Sequence, residues 1–277
     1  MRIGCHAVLF GPEIKTDTVR VLSSLHEAGA EGAEIGSRFF GMESSDELNS
    51  AMRETGMELS ALHVISKLTQ FLDEPDVIKG TLEKASQFLL TTTSRNIMMT
   101  GMVDSMDADD FGDARLLDPA ALKAVFTKMN EIAGYIHNTY GVRVNYHNHS
   151  WEFKNGALIY KSLVEYAPEV YLGLDTGWAS IYGYDPARII RDNSSRVGYV
   201  HLRDYRRADV DACKNFMEIH DKAFCPVGEG EMDYPDLLDA LKCVGDTGWG
   251  VIEYETGERD AARYKKAVEY IKGVLGR

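Results

Sequence analysis

Residues 2–35 read RIGCHAVLFGPEIKTDTVRVLSSLHEAGAEGAEI, and the order of short and long segments in this stretch decides the fold. Arg2–His6 is short and apolar, which predicts a strand. Thr16–Ala28 carries apolar residues at helical spacing and is followed by Gly29, which predicts a helix that ends there. Glu31–Ile35 predicts the next strand. The chain therefore begins with a strand–helix–strand unit.

The same alternation continues to the end of the chain. Strands are predicted at Arg2–His6, Glu31–Ile35, Met57–Val64, Asn96–Thr100, Val142–His147, Val170–Leu174, Val197–Leu202 and Trp249–Glu253. Helices are predicted at Thr16–Ala28, from Ser44 or Ser45 to Thr55, and at Pro75–Leu90, Pro119–Tyr140, Ser162–Tyr166, Pro186–Arg191, Pro235–Val244 and Asp260–Leu275. Strict alternation predicts a parallel sheet with right-handed crossovers.

Eight such units in 277 residues favour a single (β/α)₈ TIM barrel over an open doubly wound sheet. No G-x-G-x-x-G motif follows the first strand, and no G-x-x-x-x-G-K-[ST] motif is present, so a dinucleotide or P-loop site is not predicted. No linker rich in Gly, Pro or Ser interrupts the pattern. We therefore expect one domain over residues 1–277.

Charge and composition exclude several classes of protein. The chain has 43 Asp and Glu against 30 Lys and Arg, a net charge of −13, and no basic run longer than Arg206-Arg207, so we expect no nucleic-acid partner. No apolar stretch approaches the roughly 20 residues that cross a bilayer, so no membrane partner is expected. Met1–His6 lacks the apolar region of a secretory signal, which predicts a cytoplasmic location.

The segment Arg203–Met232 is predicted to be a loop of about 30 residues, which is longer than a structural connection requires and therefore indicates function. Val227–Glu231 is expected to form the turn that closes this loop near the site. Gly228 and Gly230 would supply positive φ angles in that turn.

Ionisable residues concentrate at the carboxyl ends of the predicted strands, where the active site of a TIM barrel lies. They are His6, Glu34, His63, His147, His149, Asp175, His201, Glu253 and Glu255. Five of the eight His residues of the chain fall at these ends, and their shared location favours one site. A shell of two imidazoles and two carboxylates suits Mn²⁺, Co²⁺, Fe²⁺ or Zn²⁺; Mg²⁺ prefers oxygen ligands but stays among the candidates.

Five short motifs carry a resemblance to a known family. They are Y-H-N-H at Tyr146–His149 with Glu152-Phe153, L-D-T-G at Leu174–Gly177, V-H-L-R-D at Val200–Asp204, V-G-E-G-E at Val227–Glu231, and V-I-E-Y-E at Val251–Glu255. In this order the chain resembles the xylose-isomerase-like TIM-barrel superfamily, often described as sugar phosphate isomerase/epimerase, and within it the inosose-dehydratase-like branch. The resemblance implies a metal bound by His147, Asp175, His201 and Glu253, on strands 5, 6, 7 and 8.

Three positions depart from the family pattern. His147 stands where the ketose epimerases have a Glu that both ligates metal and abstracts a proton, which speaks against a strict two-carboxylate epimerisation. Trp178 stands where the superfamily often has a His, and we expect it to stack on a sugar or to pack the mouth of the site. Arg203 stands where the dehydratase-like branch has a Lys; its planar fork suits a carboxylate or phosphate.

The expected roles follow from these positions. Glu253, His149 and His63 are the predicted catalytic residues. The predicted substrate-binding residues are Arg203, Trp178, Glu34, His6 and Glu255. Simpler interpretations stay open for several of them: a helix N-cap for Asp175, a buried hydrogen-bonded His for His201, ion pairs for Glu253, Glu255 and Glu34, and a supporting role for His149.

The expected function is that of a metal-dependent sugar or sugar phosphate isomerase/epimerase, which abstracts a proton next to a metal-bound carbonyl. The alternative is a metal-dependent dehydratase, a lyase, of an inosose or similar polyhydroxy ketone. A phosphodiesterase of the endonuclease IV type and a non-catalytic binding barrel are more distant alternatives. The expected partner is a small carbohydrate or cyclitol, and a homo-oligomer is possible.

Overall fold

The structure, a computed structural model, describes residues 1–244 and 248–276. Its centre is a closed barrel of eight parallel strands in the order β1-β8-β7-β6-β5-β4-β3-β2. The strands are β1 (Arg2–His6), β2 (Gly32–Gly36), β3 (Glu58–Lys67), β4 (Asn96–Met102), β5 (Arg143–His147), β6 (Tyr171–Asp175), β7 (Val197–Leu202) and β8 (Trp249–Ile252). The first strand pairs with both β2 and β8, which closes the barrel. The predicted (β/α)₈ TIM barrel is confirmed.

Helices connect the strands on the outside of the barrel. They are α1 (Glu13–Thr16), α2 (Thr18–Glu27), α3 (Ser37–Phe40), α4 (Asp46–Thr55), α5 (Gln70–Asp73), α6 (Pro75–Leu90), α7 (Pro119–Tyr140), α8 (Leu158–Tyr166), α9 (Thr176–Ile181), α10 (Pro186–Asp192), α11 (Arg207–Ala212), α12 (Phe216–Lys222), α13 (Tyr234–Ala240) and α14 (Ala262–Val274). Short 3₁₀ turns lie at Ala7–Phe10, Ala114–Leu117 and Leu241–Cys243. Among the described residues, no helix is both long enough and apolar enough to span a membrane.

The longest helix, α7, begins and ends where the sequence indicates. Pro119 occupies its first turn, the Asp118 side chain accepts a hydrogen bond from the backbone N–H of Ala120, and Gly141 ends the helix in the left-handed region. The short helices α1, α3, α5 and α9 were not predicted. Each spans only four to six residues, which is too short for a 3.6-residue apolar period to be visible.

The predicted 30-residue loop after β7 has secondary structure of its own, so the prediction of an unstructured connection is wrong. It contains α11, α12 and a two-stranded antiparallel ribbon of Asp204–Tyr205 with Phe224–Cys225. Two-residue strands have no alternation to read in a sequence, which is why the ribbon escaped prediction. The ribbon returns the chain to the barrel end close to Arg203, and it thereby holds α12 over the carboxyl ends of the strands.

The barrel interior changes character along its axis. A small buried cluster of Ala61, Met98, Tyr199, Trp249 and Val251 fills the amino-terminal part, and a much larger apolar layer packs between the strands and the helices. Gly173 allows the inner filling, because a Cβ there would lie 2.6 Å from Cε of Met98. The His, Asp and Glu side chains of the interior lie at the carboxyl end, where the active site of a TIM barrel is found.

Candidate metal centre and substrate cavity

Two groups of buried polar side chains meet at the carboxyl end of the barrel. The first, here called the β5–β8 cluster, consists of His147, Asp175, His201 and Glu253. The second, here called the β1–β4 cluster, consists of His6, Glu34, His63 and Thr100. Each strand contributes one member, because alternate residues of a strand point inward and the last inward position falls at its carboxyl end. The predicted ligand residues and three of the other predicted site residues are therefore brought together.

The β5–β8 cluster has the composition of a metal centre. One donor atom from each of its four residues lies within 4.8 Å of the others, and the set combines two imidazoles with two carboxylates. Within residues 1–244 and 248–276, neither Nδ1 of His147 nor Oδ2 of Asp175 has a hydrogen-bond partner. We call these two the orphan atoms. A buried polar atom left unpaired costs about 1–3 kcal/mol, so the cluster fits a cation that would pair with both.

Asp175 is the N-cap of α9, as the sequence allowed, and its second carboxylate oxygen has no hydrogen bond among the described residues. Its Oδ1 accepts a hydrogen bond of 2.8 Å from the backbone N–H of Trp178 and caps α9, while Oδ2 is an orphan atom. Burial raises the pKa of Asp175 to about 7, although the guanidinium of Arg203, 3.6 Å away, acts in the opposite direction. A carboxyl group in this state becomes fully ionised when a cation is nearby.

His201 lies between two carboxylates. Its Nδ1 is 2.9 Å from Oε2 of Glu253 and its Nε2 is 2.7 Å from Oε2 of Glu34. Ionised carboxylates only accept hydrogen bonds, so both ring nitrogens carry protons. Burial lowers the pKa of His201, but the charges of Glu34 and Glu253 outweigh it and hold that pKa well above its ordinary value. A metal ion bound by His201 would take the place of one of these protons.

Glu253, like His147, is a ligand candidate that lines the cavity. Its Oε1 accepts a hydrogen bond of 2.7 Å from Nδ1 of His6, and Nη1 of Arg203 is 3.5 Å from its Oε2. Burial raises the pKa of Glu253, yet the charge and hydrogen bond of His201 outweigh burial, and the pKa lies well below its ordinary value. Glu253 is therefore an ionised carboxylate held in one orientation.

In the β1–β4 cluster the hydrogen bonds are made within the protein. Oε1 of Glu34 accepts a bond of 2.7 Å from Nδ1 of His63, and Nε2 of His63 is 2.7 Å from Oγ1 of Thr100. Burial raises the pKa of Glu34, but the charges of His201 and His6 bring it well below its ordinary value. Burial also lowers the pKa of His63. His63 is therefore a neutral ring with its proton on Nδ1, and Nε2 accepts the hydroxyl proton of Thr100.

A cavity of about 150 Å³ opens above the two clusters, and its strand-borne wall has two layers. The inner layer consists of His6, His63, Thr100, His147 and Glu253. The outer layer consists of Val8, Ile65, Met102, His149 and Glu255, each two residues further along the chain. Gly36 and residues from helices and loops complete the wall: Arg38, Phe39, Met106, Trp151, Phe216 and His220. The cavity thus places both Glu253 and His63 within reach of one small ligand.

Three residues predicted to touch the substrate lie behind this wall. Trp178 and Glu34 are fully buried and Arg203 is 2% exposed, and the cavity wall is formed by other side chains. Each of the three contacts a residue that does face the cavity. Arg203, Trp178 and Glu34 thus lie behind the cavity wall, whereas His6 and Glu255 line it, and the contact of these five residues with a substrate stays a prediction.

Arg203 and Trp178 lie behind the wall because their side chains bind partners within the protein. Nη1 of Arg203 is 2.9 Å from Oε2 of Glu255, and its guanidinium lies 3.6 Å from the ring centre of Phe224. Trp178 stacks on Phe216 with ring centres 5.1 Å apart, which is the packing role left open from the sequence. The planar fork of Arg203 thus binds a carboxylate of the protein, where the sequence predicted one of the substrate.

Glu255 forms ion pairs, which is one of the interpretations that the sequence left open. It faces the cavity and pairs with Arg203 and, at 3.1 Å, with Nε2 of His220. Burial raises the pKa of Glu255, but the charge of Arg203 and the bond from His220 bring it to about 2. The same bond raises the pKa of His220.

His149 faces the cavity with a neutral ring. Burial lowers its pKa to about 3, and its ring stacks on Trp151 with centres 4.5 Å apart. Nδ1 of His149 has no partner among the described residues. Its backbone N–H donates to Oε2 of Glu152 at 2.7 Å, and the hydroxyl of Tyr146 donates to Oε1 of Glu152 at 2.6 Å. Burial raises the pKa of Glu152 to about 8. The segment Tyr146–Glu152 thus forms a local hydrogen-bonded unit that positions His149.

The sequence did not identify four of the residues that line the cavity, Thr100, Trp151, Phe216 and His220. Thr100 ends a predicted strand, so the strand-end rule could have included it had hydroxyl groups been counted. Phe216 and His220 lie four residues apart on α12, inside the long segment that was expected to be functional. The length of this segment indicated that it has a function, but it did not indicate which of its residues face the cavity.

The turn at Val227–Glu231 is held by the carboxylate of Asp204. Backbone N–H groups of Gly228 and Gly230 donate to Oδ2 of Asp204 at 2.9 and 3.0 Å, and that of Met232 donates to Oδ1 at 3.0 Å. Gly228 has a φ of +90°, as predicted. Positive φ is wrong as the reason for Gly230; there a Cβ would lie 2.2 Å from Oδ1 of Asp204, so the position requires glycine for close approach.

Comparison with known proteins places the chain among barrel enzymes. An inosose dehydratase of Bacillus thuringiensis (strain Al Hakam) is 23% identical over 290 residues, covering 96% of this chain and 93% of the relative. The structure of 3-keto-D-glucoside 4-epimerase from E. coli superposes with a TM-score of 0.75 at 18% identity, covering 99% of each chain. A probable 3-DHS dehydratase of Bacillus anthracis superposes with a TM-score of 0.74 at 12% identity, covering 100% of this chain and 99% of that one.

At these identities the superpositions show the fold, and the family is shown by a separate comparison. The family model described as xylose isomerase-like TIM barrel matches residues 22–274, which is most of the chain. The match includes every member of the β5–β8 cluster and all of the β1–β4 cluster except His6. The chain therefore belongs to the xylose isomerase-like TIM barrel family.

Proposed function

We propose that this protein is a metal-dependent isomerase or epimerase of a sugar, or of a related polyhydroxy carbonyl compound, that removes a proton from the carbon next to the carbonyl group. The observation that carries the proposal is the pair of orphan atoms, on His147 and Asp175, beside an ionised Glu253 that faces the cavity. A relative named inosose dehydratase and a structural neighbour named 3-keto-D-glucoside 4-epimerase support carbohydrate chemistry of this general type.

His147, Asp175, His201 and Glu253 would hold the metal ion. A divalent cation there would supply Lewis acidity, which lowers the pKa of a C–H bond next to a carbonyl group. Their mixed nitrogen and oxygen donors suit Mn²⁺, Co²⁺ or Zn²⁺ better than Mg²⁺. The remaining steps are proton transfers, and the cavity wall provides the groups for them.

Glu253 is the proposed proton acceptor. Its carboxylate is ionised, it lines the inner layer of the cavity, and the 2.7 Å bond from Nδ1 of His6 holds its orientation. His63 is proposed to accept the proton of a substrate hydroxyl at Nε2, in place of the proton that Thr100 offers. The imidazolium so formed would be stabilised by Glu34, which already accepts from its Nδ1 at 2.7 Å. To complete an isomerisation, Glu253 would return its proton to the former carbonyl carbon and His63 would return its proton to the former carbonyl oxygen. His149, a neutral ring in the outer layer, is proposed to accept a hydrogen bond from a second hydroxyl group of the substrate.

Dehydration of an inosose or a similar ketone is the second candidate. The observation that favours it is the imidazole of His147, at the β5 position, which leaves Glu253 as the single inner-layer carboxylate among the described residues. Epimerisation with one base on each face of the substrate needs two such groups, whereas elimination needs one base and one acid. His220 lines the cavity, and its ring nitrogens lie 2.7 Å from Oδ1 of Asp221 and 3.1 Å from Oε2 of Glu255, so His220 is proposed to donate the proton that a departing hydroxyl group would need.

The test begins with the purified protein, which is treated with a chelator and then supplied separately with Mn²⁺, Co²⁺, Zn²⁺ or Mg²⁺. Ketoses, inososes and 3-keto-glucosides are incubated with each sample in deuterium oxide, and deuterium uptake and product mass are measured by mass spectrometry. We expect uptake only in samples that contain metal. Retained mass with deuterium at one carbon supports isomerisation or epimerisation, and loss of one water supports dehydration. Equal uptake with and without metal, or none with any substrate, would contradict the proposal.

A pair of matched variants locates the base. Glu253→Gln keeps the size of the side chain but removes its basicity, and we expect the exchange rate to fall by about 100-fold or more when the variant and the unmodified protein are compared at equal metal content. Glu229→Gln makes the same chemical change in a half-exposed carboxylate outside the cavity, which pairs with Arg206 at 3.5 Å, and should leave the rate unchanged. A Glu253→Gln protein with full exchange activity would remove Glu253 from the mechanism.

A further inference from the structure

The outer layer of the cavity is divided into two unlike halves. Two residues of a strand span about 6.6 Å, so a residue two positions beyond an inner-layer group points the same way one level further out. Beyond His63 and Thr100 these positions are Ile65 and Met102, on β3 and β4. Beyond His147 and Glu253 they are His149 and Glu255. The ring of strands is thus polar all round at the inner level but apolar on one side at the outer level.

Neighbouring segments extend the apolar side. Val8 follows β1, Phe39 lies on α3 after β2, and Met106 follows β4, so the apolar side chains come from four strands that are adjacent in the barrel. We call this surface the apolar wall; it consists of Val8, Phe39, Ile65, Met102 and Met106. Ile65 is 39% exposed, which makes it one of few large apolar side chains in the described chain with so much surface open.

An unsubstituted sugar does not match this wall. Its outward hydroxyl groups would lose water against apolar side chains without gaining hydrogen bonds, which costs free energy for each group. A phosphate ester does not match it either: Arg38 is the one Lys or Arg among the described residues that line the cavity, and Arg203 is engaged with Glu255. The inner layer, by contrast, offers hydrogen-bonding groups from His6, His63, Thr100, His147 and Glu253 to a hydroxylated ring.

We infer that the substrate is a carbohydrate whose ring carries an apolar substituent, an aryl or long alkyl group, and that this substituent packs on the apolar wall while the ring lies at the inner layer. This inference rests on the proposed function for the identity of the ring as a polyhydroxy carbonyl compound. The substituent itself is assigned from the composition of the outer layer. Its burial is driven by the removal of apolar surface from water.

The inference is tested by equilibrium binding, which needs no turnover. Mn²⁺-supplemented protein is titrated with the methyl and phenyl β-glycosides of glucose, galactose and xylose, and with glucose 6-phosphate, and tryptophan fluorescence reports binding because Trp151 lines the cavity. In at least one pair we expect the phenyl glycoside to bind about tenfold more tightly than the methyl glycoside. The inference is overturned if no pair shows this preference, including the case of no binding, or if glucose 6-phosphate binds most tightly.

Two variants show whether the apolar wall is the source of the preference. Ile65→Gln places an amide in the wall, and the phenyl-to-methyl preference should fall to about threefold or less. Leu90→Gln makes the matched change at a residue of α6 that is 45% exposed and outside the cavity, and the preference should persist. Met102→Gln serves as a second wall variant if Ile65→Gln does not fold, as judged by thermal unfolding. A preference unchanged in both wall variants would overturn the inference.

The outcome separates this inference from the proposed function. If the phenyl preference is found but no metal-dependent deuterium uptake occurs, the proposed reaction fails and the assignment of an apolar substituent stands. If uptake occurs with unsubstituted substrates and no phenyl preference is found, the reaction stands and the substituent is excluded.

Discussion

The β5–β8 cluster and the β1–β4 cluster are built from the same kinds of residue at the same depth, yet they are completed in different ways. In the β1–β4 cluster Glu34 accepts from His63 and His201, and His63 reaches Thr100, so the carboxylate and the ring nitrogens find partners within the protein. In the β5–β8 cluster His147 and Asp175 keep the orphan atoms. Burial and composition alone therefore do not distinguish the two clusters; the unpaired atoms on two neighbouring candidate ligands do.

The difference in hydrogen bonding also gives the two clusters different proposed roles. A cluster with unpaired donors can take up a cation, because binding removes an existing penalty. A cluster with paired donors holds its rings and carboxylates in fixed orientations and fixes which ring nitrogen carries a proton, as it does for His63. The first would hold the metal ion, and the second would move protons of the substrate.

Asp175→Asn is expected to have the largest effect, because it changes the β5–β8 cluster alone. The amide of Asn can still cap α9, but the substitution removes the negative charge beside the orphan atom of His147. Loss of a residue that only supports a ligand lowers metal affinity by about 10- to 100-fold, and we expect a larger fall here because Asp175 is itself a proposed ligand. Metal content after dialysis, measured by mass spectrometry, gives the result. Asp185→Asn is the control, since Asp185 caps α10 in the same manner at the surface. Unchanged metal content in Asp175→Asn would mean that the β5–β8 cluster is not the metal site.

Glu152 differs from the carboxylates of both clusters because it is buried and its hydrogen-bond partners are neutral. Its pKa of about 8 in the folded protein is above the ordinary value of 4.5, so the folded state binds more protons than the unfolded state between these values. Stability contributed by the protonated group is present below about pH 4.5 and is lost as the pH rises toward 8. Glu152→Gln removes this titration, and the variant should gain about 3.5 kcal/mol relative to the unmodified protein between pH 5 and pH 8.

Urea unfolding of both proteins at pH 5, 6.5 and 8 measures this change. The difference in the free energy of unfolding should move in favour of Glu152→Gln as the pH rises. Glu229→Gln, in a half-exposed carboxylate for which no such burial applies, should show no comparable trend. A difference that is constant with pH would show that Glu152 is ionised in the folded protein at all three values.

The smallest expected effect comes from Thr100→Val, which keeps the shape of the side chain and removes the hydroxyl that His63 contacts at 2.7 Å. Leaving Nε2 of His63 without this partner should lower the free energy of unfolding by about 1 kcal/mol. Metal content should stay unchanged, because Thr100 belongs to the β1–β4 cluster. Loss of metal in Thr100→Val would show that the two clusters act as one unit.

Much of the fold and the metal-centre candidates could be predicted because each rests on a local rule. Alternating strand and helix patterns determine a parallel barrel, and the period of two along a strand places His147, Asp175, His201 and Glu253 at one end of it. The same rule placed His6, Glu34 and His63 there. Short elements were missed for the opposite reason: α11, α12 and the ribbon after β7 are too short to show a period.

Side-chain partners could not be predicted, because they are set by residues far apart in the sequence. From the sequence, the planar guanidinium of Arg203 was expected to bind a carboxylate or phosphate of the substrate. In the structure it pairs with Glu255, which is 52 residues away in the chain. Trp178 was expected to contact a sugar, and packing against Phe216 removes it from the cavity wall. A strand-end rule states which way a side chain points but not what already occupies the space in front of it.

The sequence by itself therefore determined the barrel, the end of the barrel that carries chemistry, and the residue types available for it, since periodicity and strand order are properties of neighbouring residues. Only the tertiary structure decided which of those residues remain unpaired and which ring nitrogens of His201 and His63 carry protons. It also decided how apolar residues on and after β1 to β4 come to form one wall of the cavity. These features depend on distances between strands that are far apart in the chain, and closure of the barrel sets those distances.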